Sequence, residues 1–144
     1  MTENTMSENT MTENTQNTPA PTVWPAMIYA DAPAAIRFLV EAFGFVETLV
    51  VPGEQGREII HAELRWPEGG GVMLGSSDEN SEFGKLTRTS NYVVTDHPDE
   101  LFKRATDAGA QVVRELRDED YGSRGFTIRD PEGNLWSIGT YAGE

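Results

Sequence analysis

His61 and Glu63 stand two residues apart in the segment His61-Ala-Glu63-Leu-Arg65-Trp66. Alternation along a strand places both on one face with Arg65, and puts Ala62, Leu64 and Trp66 on the other. A histidine beside a carboxylate is the pair that general acid–base chemistry uses. The same pair also serves as a satisfied polar contact on a half-exposed sheet, and spacing leaves both readings open. To hold a metal ion, His61 and Glu63 would need two further ligands. His97, the only other histidine, adjoins Pro98 and reads as a surface residue near a helix start. The chain has no cysteine, which excludes disulfides, thiolate metal sites and cysteine nucleophiles.

Aromatic residues are the second group that could face a ligand. Trp24, Tyr29, Tyr92, Tyr121, Trp136 and Tyr141 offer flat faces suited to planar or cationic molecules, and each equally suits an ordinary core. The run Asp118-Glu119-Asp120-Tyr121 reads as a solvated loop or as the acidic lip of a pocket. Arg124 follows Tyr121 closely and is placed to pair with a ligand anion or with Glu63. No Ser-His-Asp order, P-loop or dinucleotide fingerprint occurs, so no cofactor is expected.

The chain carries a net charge of -13, from 24 acidic and 11 basic residues. Nucleic-acid readers need a basic stripe to displace counterions, and none is present, so nucleic-acid binding is not expected. The acidity reads as solubility and self-repulsion, or as attraction of a cationic small molecule. No segment approaches the roughly 18 consecutive apolar residues of a membrane span. There is no signal-peptide pattern at the N-terminus, and the expected location is the cytoplasm.

The elements that would position these residues follow from an internal repeat. Residues 1–21 repeat the pentad Met-(Ser/Thr)-Glu-Asn-Thr and are too polar to offset the entropy of ordering, so a disordered tail is expected there. Residues 22–144 form one expected domain, with halves 23–75 and 90–141. Asp31-Ala-Pro33-Ala-Ala-Ile36 recurs as Asp96-His-Pro98-Asp-Glu-Leu101, and Gly44 recurs as Gly109, all at an offset of 65. Each copy reads as a helix with an Asp cap, a Pro in its first turn and a terminal Gly. Apolar stripes run along both: Ala35, Phe38, Leu39, Ala42 and Phe43, then Leu101, Phe102, Ala105 and Ala108. One strand precedes each helix (Met27–Tyr29, Tyr92–Val94) and three follow it. The first set is Phe45–Val51, Glu58–Trp66 and Gly71–Gly75. The second is Gln111–Arg117, Arg124–Arg129 and Leu135–Thr140. Turns at Pro67–Gly71 and Asp130–Gly133 close the last hairpin of each half. The linker Ser76–Thr89, rich in Ser, Asp, Glu and Asn, is expected to be mobile.

A tandem βαβββ chain resembles the vicinal oxygen chelate superfamily, the glyoxalase and bleomycin-resistance proteins. The segments "YADAPAAIRFLVEAFGF", "HAELRWPEGGGVMLGS" and "YGSRGFTIRDPEGNLWSIGTY" carry the likeness, over about Val23 to Tyr141. The resemblance implies an α+β fold in which the two units form a curled mixed sheet around a central pocket. It also implies a small-molecule ligand and, as in many relatives, a homodimer. Enzymes of the superfamily hold a divalent metal with His or Glu from four strands. Those positions fall here near Trp24, Leu74, Ser90 and Ser137, with Pro25, Met73, Gly75, Thr89, Asn91, Trp136 and Ile138 one residue away. None is a credible ligand, so no metal is expected. The expected function is metal-free small-molecule binding of the drug- or metabolite-sequestering kind. The alternative is a lyase, isomerase or dioxygenase with a displaced site on His61 and Glu63. The ligand-binding residues expected are Trp24, Tyr29, His61, Glu63, Ser90, Tyr92, Tyr121, Arg124 and Ser137.

Overall fold

A computed structural model describes residues 21–144, and the expected disordered tail falls almost wholly outside the described residues. The first half runs β1 (Ala26–Tyr29), α1 (Ala32–Phe38), β2 (Val46–Pro52), β3 (Ile59–Arg65) and β4 (Gly71–Ser76). The second runs β5 (Ser90–Val94), α2 (Pro98–Asp107), β6 (Gln111–Asp118), β7 (Arg124–Arg129) and β8 (Leu135–Gly139). Each half is a four-stranded mixed sheet, ordered β1-β4-β3-β2 and β5-β8-β7-β6. The pairs β1–β4 and β5–β8 are parallel, and the other pairs are antiparallel. The α+β tandem βαβββ architecture is therefore present, with each sheet bulged in its outer hairpin, where bulges bend a strand and increase its twist.

Alternation sorts the side chains as the sequence pattern requires. Ala62, Leu64 and Trp66 are buried, while His61, Glu63 and Arg65 lie on the open face of the first sheet. Phe126 and Ile128 on β7 are likewise buried, and Thr127 and Arg129 alternate with them. The buried faces of both sheets and both helices share one core. At its centre Phe43 and Phe45 from the first half pack on Trp136 of β8, with ring centroids 5.7 and 5.9 Å apart.

The helix ends show how local signals fared. Asp31 caps α1, its Oδ1 accepting from Ala34 N at 3.1 Å. The helix then widens into a π-helical stretch, Leu39–Phe43, and ends at Gly44 with φ +88°. Any side chain at Gly44 would meet the Arg104 guanidinium, which donates to the carbonyls of Val40 and Glu41 and so satisfies the end of that helix. Asp96 does not cap α2, contrary to the repeat. The N-cap is His97, whose own N–H goes to Thr95 Oγ1 at 3.0 Å. The linker is also less open than its composition suggests. It holds a 3₁₀ turn at Glu82–Gly84, capped by Ser81 and tied back by Asp78 N to Gly84 O.

The two halves clasp each other reciprocally. Glu132, in the β7–β8 turn, accepts from the backbone N–H groups of Ala30 and Asp31, both at 2.7 Å. Glu68, in the β3–β4 turn, accepts from Thr95 Oγ1 at 3.0 Å and Asp96 N at 3.1 Å. Each turn thus supplies the acceptor that the other half's helix start needs.

Candidate functional site

The structure brings His61 and Glu63 together on β3. His61 Nε2 lies 2.8 Å from Glu63 Oε2, and the side chains keep 39% and 28% of their exposure, so a ligand can reach both. Cross-strand register sets Glu63 in a row with Met73 on β4, Ala26 on β1 and Leu49 on β2. A pocket of about 640 Å³ lies over this sheet, lined by Ile28, Ile60, His61, Met73 and Gly75 and by Phe83 from the linker turn. The arrangement can hold an apolar ligand body against Ile28 and Met73 while the His61 imidazole, bonded to Glu63 behind it, meets a polar group or relays a proton.

On the second sheet the equivalent row is Tyr92, Ser137, Thr127 and Arg114. Ser137 Oγ and Thr127 Oγ1 share a hydrogen bond of 2.9 Å. Ser90 is exposed at the start of β5. Tyr92 is 49% exposed, and its hydroxyl donates to Tyr141 O at 2.6 Å. Partial burial holds its phenol above the usual range, so it is a proton donor at neutral pH. Tyr121 is exposed and stacks edge-on against Tyr141, centroids 5.9 Å apart.

Several expected site residues already have partners within the chain. Arg124 does not meet Glu63. Its guanidinium donates to both Asp99 carboxylate oxygens, at 2.8 and 3.1 Å, and to Asp118 at 3.2 Å, pinning β7 to α2. Those bonds hold the Asp99 carboxyl below its ordinary value. Glu119 pairs with Arg114 and Arg117, so the acidic run is largely neutralised and forms no free lip. Tyr29 is no pocket wall, because it is fully buried and its hydroxyl donates to Asp130 Oδ2 at 2.6 Å. Burial, with the neighbouring carboxylate, pushes that phenol far above its usual range and keeps it a donor.

Sequence reasoning missed Asp130 altogether. The carboxylate, 5% exposed, accepts from Tyr29 OH, Trp136 Nε1, Asn134 Nδ2 and the backbone N–H groups of Glu132 and Asn134. In the sequence it is the first residue of an Asp-Pro-x-Gly turn. Its partner Tyr29 lies 101 residues away, so no local signal could reveal the link.

The four positions that the resemblance marks for a metal need one correction. Leu74 is buried at 3% exposure and faces the core, and its neighbour Met73 lies on the open face instead. A one-residue slip along a strand exchanges faces. Trp24 is half-buried before β1, its indole N–H on Pro21 O at 3.2 Å and its ring edge against Gly71. The set is then Trp24, Met73, Ser90 and Ser137: an indole, a thioether and two hydroxyls. That donor chemistry does not fit a divalent cation held by imidazole and carboxylate. Among the described residues no group of three or more His, Asp or Glu is placed to hold a metal.

A second pocket, of about 580 Å³, opens between the two halves. Phe45, Trp66 and Trp136 lie behind it, the hairpin Gly69–Gly71 forms one side and β5 the other. Trp66 Nε1 donates across the junction to Val94 O at 3.0 Å.

Two βαβββ units around a common core, each with one open sheet face, define a glyoxalase-type fold. The chain belongs to the Glyoxalase/Bleomycin resistance protein/Dioxygenase superfamily, whose family model matches residues 22–138. It is 40% identical over 128 residues to a protein of Mycobacterium bovis, covering 83% of this chain and 82% of that one. Among solved structures it is similar to TioX from Micromonospora sp. ML1, with 33% identity and a TM-score of 0.74 over 85% of this chain and 100% of that one. A glyoxalase/bleomycin resistance protein/dioxygenase family enzyme from Burkholderia phytofirmans shares the fold at 22% identity and a TM-score of 0.58, over 81% and 94% of the two chains. No helix among the described residues is long and apolar enough to cross a membrane.

Proposed function

We propose that the chain binds a small organic molecule without using a metal. The observation that carries this reading is the donor set Trp24, Met73, Ser90 and Ser137 at the superfamily's metal positions, beside open pockets with apolar linings. Sequestration of a drug or metabolite is the role such a site performs. The test is incubation with excess nickel, zinc, manganese or iron at neutral pH, followed by a bound-metal assay and a thermal-shift screen over metabolites and antibiotics. The expected result is no stoichiometric metal and at least one organic molecule that raises the melting midpoint, since a ligand selective for the folded state must do so. One tightly held metal per chain would overturn it.

A second reading is catalysis without metal, favoured by the 2.8 Å His61–Glu63 contact on an accessible face. It requires that His61→Asn abolish turnover while leaving ligand affinity within a few-fold.

The reading includes a homodimer. Leu49, Val51, Tyr92 and Val94 expose 37–49% of their surface on the sheets, and a second copy would cover them. Closed two-fold pairing is the commonest assembly that does so. Light scattering at micromolar concentration is expected to give the mass of two chains. A single-chain mass that stays constant as concentration rises would refute the dimer.

A further inference from the structure

The linker between the halves has no counterpart in the repeat, and it carries a ring that almost nothing covers. Phe83 sits on the 3₁₀ turn Glu82–Gly84 with 89% of its surface exposed. The turn itself is closed from several sides. Ser81 Oγ accepts from Phe83 N at 3.1 Å, Gly84 N donates to Ser81 O at 3.1 Å, and Asp78 N donates to Gly84 O at 2.8 Å. A side chain on Gly84 would meet the Asp78 backbone at 2.8 Å, so the turn closes this tightly only around glycine. Ser77 N donates to Tyr29 O at 3.0 Å and ties the segment to β1. The phenyl is therefore held on a fixed support, which lowers the entropy cost of using it in binding.

Phe83 walls the pocket of about 640 Å³ over the first sheet. The sheet supplies the other wall with Ile28 from β1, His61 from β3 and Met73 from β4, all half-buried and so within reach of a ligand. The Met73 sulfur and the Phe83 ring both favour an aromatic neighbour, the thioether at a ring edge and the phenyl edge-on or offset. His61 adds direction. Its Nε2 is bonded to Glu63, and a carboxylate only accepts, so Nε2 carries the hydrogen. Nδ1 of the neutral ring is then an acceptor, and it has no hydrogen-bond partner among the described residues. No Lys or Arg lines the pocket, so an organic anion meets no counter-charge there.

We propose that this pocket is a site for a flat aromatic molecule with a hydrogen-bond donor on its ring edge, and that Phe83 is the residue that selects it. The ring lies between Phe83 and Met73, and its O–H or N–H donates to His61 Nδ1. The proposal rests on the metal-free binding reading above and names the ligand class and the selecting residue. The volume lies within the roughly 300–1,000 Å³ usual for small-molecule sites.

The test uses the full chain and three probes titrated by calorimetry: 2-naphthol, its methyl ether 2-methoxynaphthalene, and the saturated decahydro-2-naphthol. 2-Naphthol is expected to bind one per chain. The ether, which has no donor, should bind about fivefold more weakly, the worth of one hydrogen bond. The saturated alcohol should bind more weakly as well, since it has no ring for Phe83 and Met73 to meet. Phe83→Leu keeps an apolar side chain and, at so exposed a position, leaves the core intact. It should weaken 2-naphthol about threefold or more and leave decahydro-2-naphthol unchanged, while Phe83→Tyr should restore the preference. His61→Leu should erase the difference between 2-naphthol and its ether. The control Glu115→Gln, on exposed β6, should change nothing. Equal binding of the three probes, binding of none, or 2-naphthol binding indifferent to Phe83→Leu overturns the proposal. So does a Phe83→Leu chain that loses its dimer in light scattering with 2-naphthol affinity unchanged, because Phe83 is then a contact between copies. If the thermal-shift screen finds a different ligand whose affinity ignores Phe83→Leu, metal-free binding stands while this site falls. Tight stoichiometric metal would instead sink the underlying reading.

Discussion

Replacing Asp130 with alanine is expected to cost about 3–5 kcal/mol of folding stability, the range for removing one partner from a buried charged network. The deleted carboxylate serves five donors, and three of them sit on the buried side chains of Tyr29, Asn134 and Trp136. None has water to turn to, so each carries its own desolvation penalty. Urea unfolding of the variant gives the number. Tyr29→Phe alone should cost less, about 1–2 kcal/mol, because it removes one donor and leaves the carboxylate with the others. In a double-mutant cycle the Asp130 and Tyr29 losses should fall short of additivity, since the two residues share one bond. A loss below about 1 kcal/mol for Asp130→Ala, the ordinary net worth of a single hydrogen bond, would show that the network does not join the halves.

Glu132→Ala should cost about 2 kcal/mol, because a charged acceptor on two backbone donors is worth about 1.5–3 kcal/mol. Its bonds to Ala30 N and Asp31 N are both 2.7 Å, and the side chain is half-buried. Glu68→Ala should cost less, about 1 kcal/mol, since exposure and screening discount a surface charge. Its bonds are longer, 3.0 and 3.1 Å, and the residue is exposed. Glu115→Gln, which makes no such bond, serves as the reference. Equal losses for Glu132→Ala and Glu115→Gln would show that the clasp contributes nothing.

Both predictions concern contacts that cross between the halves, and these divide what was legible in the sequence from what was not. All eight strands fall within about two residues of their expected bounds, because period-two alternation and turn residues are local signals. The Asp31 cap and the Gly44 stop were legible for the same reason. Asp96 carries the same signal as Asp31, yet the second helix starts one residue later, with His97 at its N-cap and no side-chain cap, so equal sequence gave unequal structure. Leu74 against Met73 shows the limit of alignment by spacing, since an error of one residue reverses which side chain a ligand meets.

The site divides the same way. His61 and Glu63 lie on one strand, so their meeting follows from the pleat alone. The sequence by itself therefore determined the two βαβββ units, the faces of their strands and the His61–Glu63 pair. Only the tertiary structure decided that Arg124 serves Asp99 and Asp118, that Tyr29 belongs to a buried carboxylate, and that a pocket opens between the halves. The physical reason is separation along the chain. Backbone geometry fixes neighbours a few residues apart. Partners 25 or 101 residues apart are chosen only when the core closes and each buried polar group must find an acceptor or donor within reach.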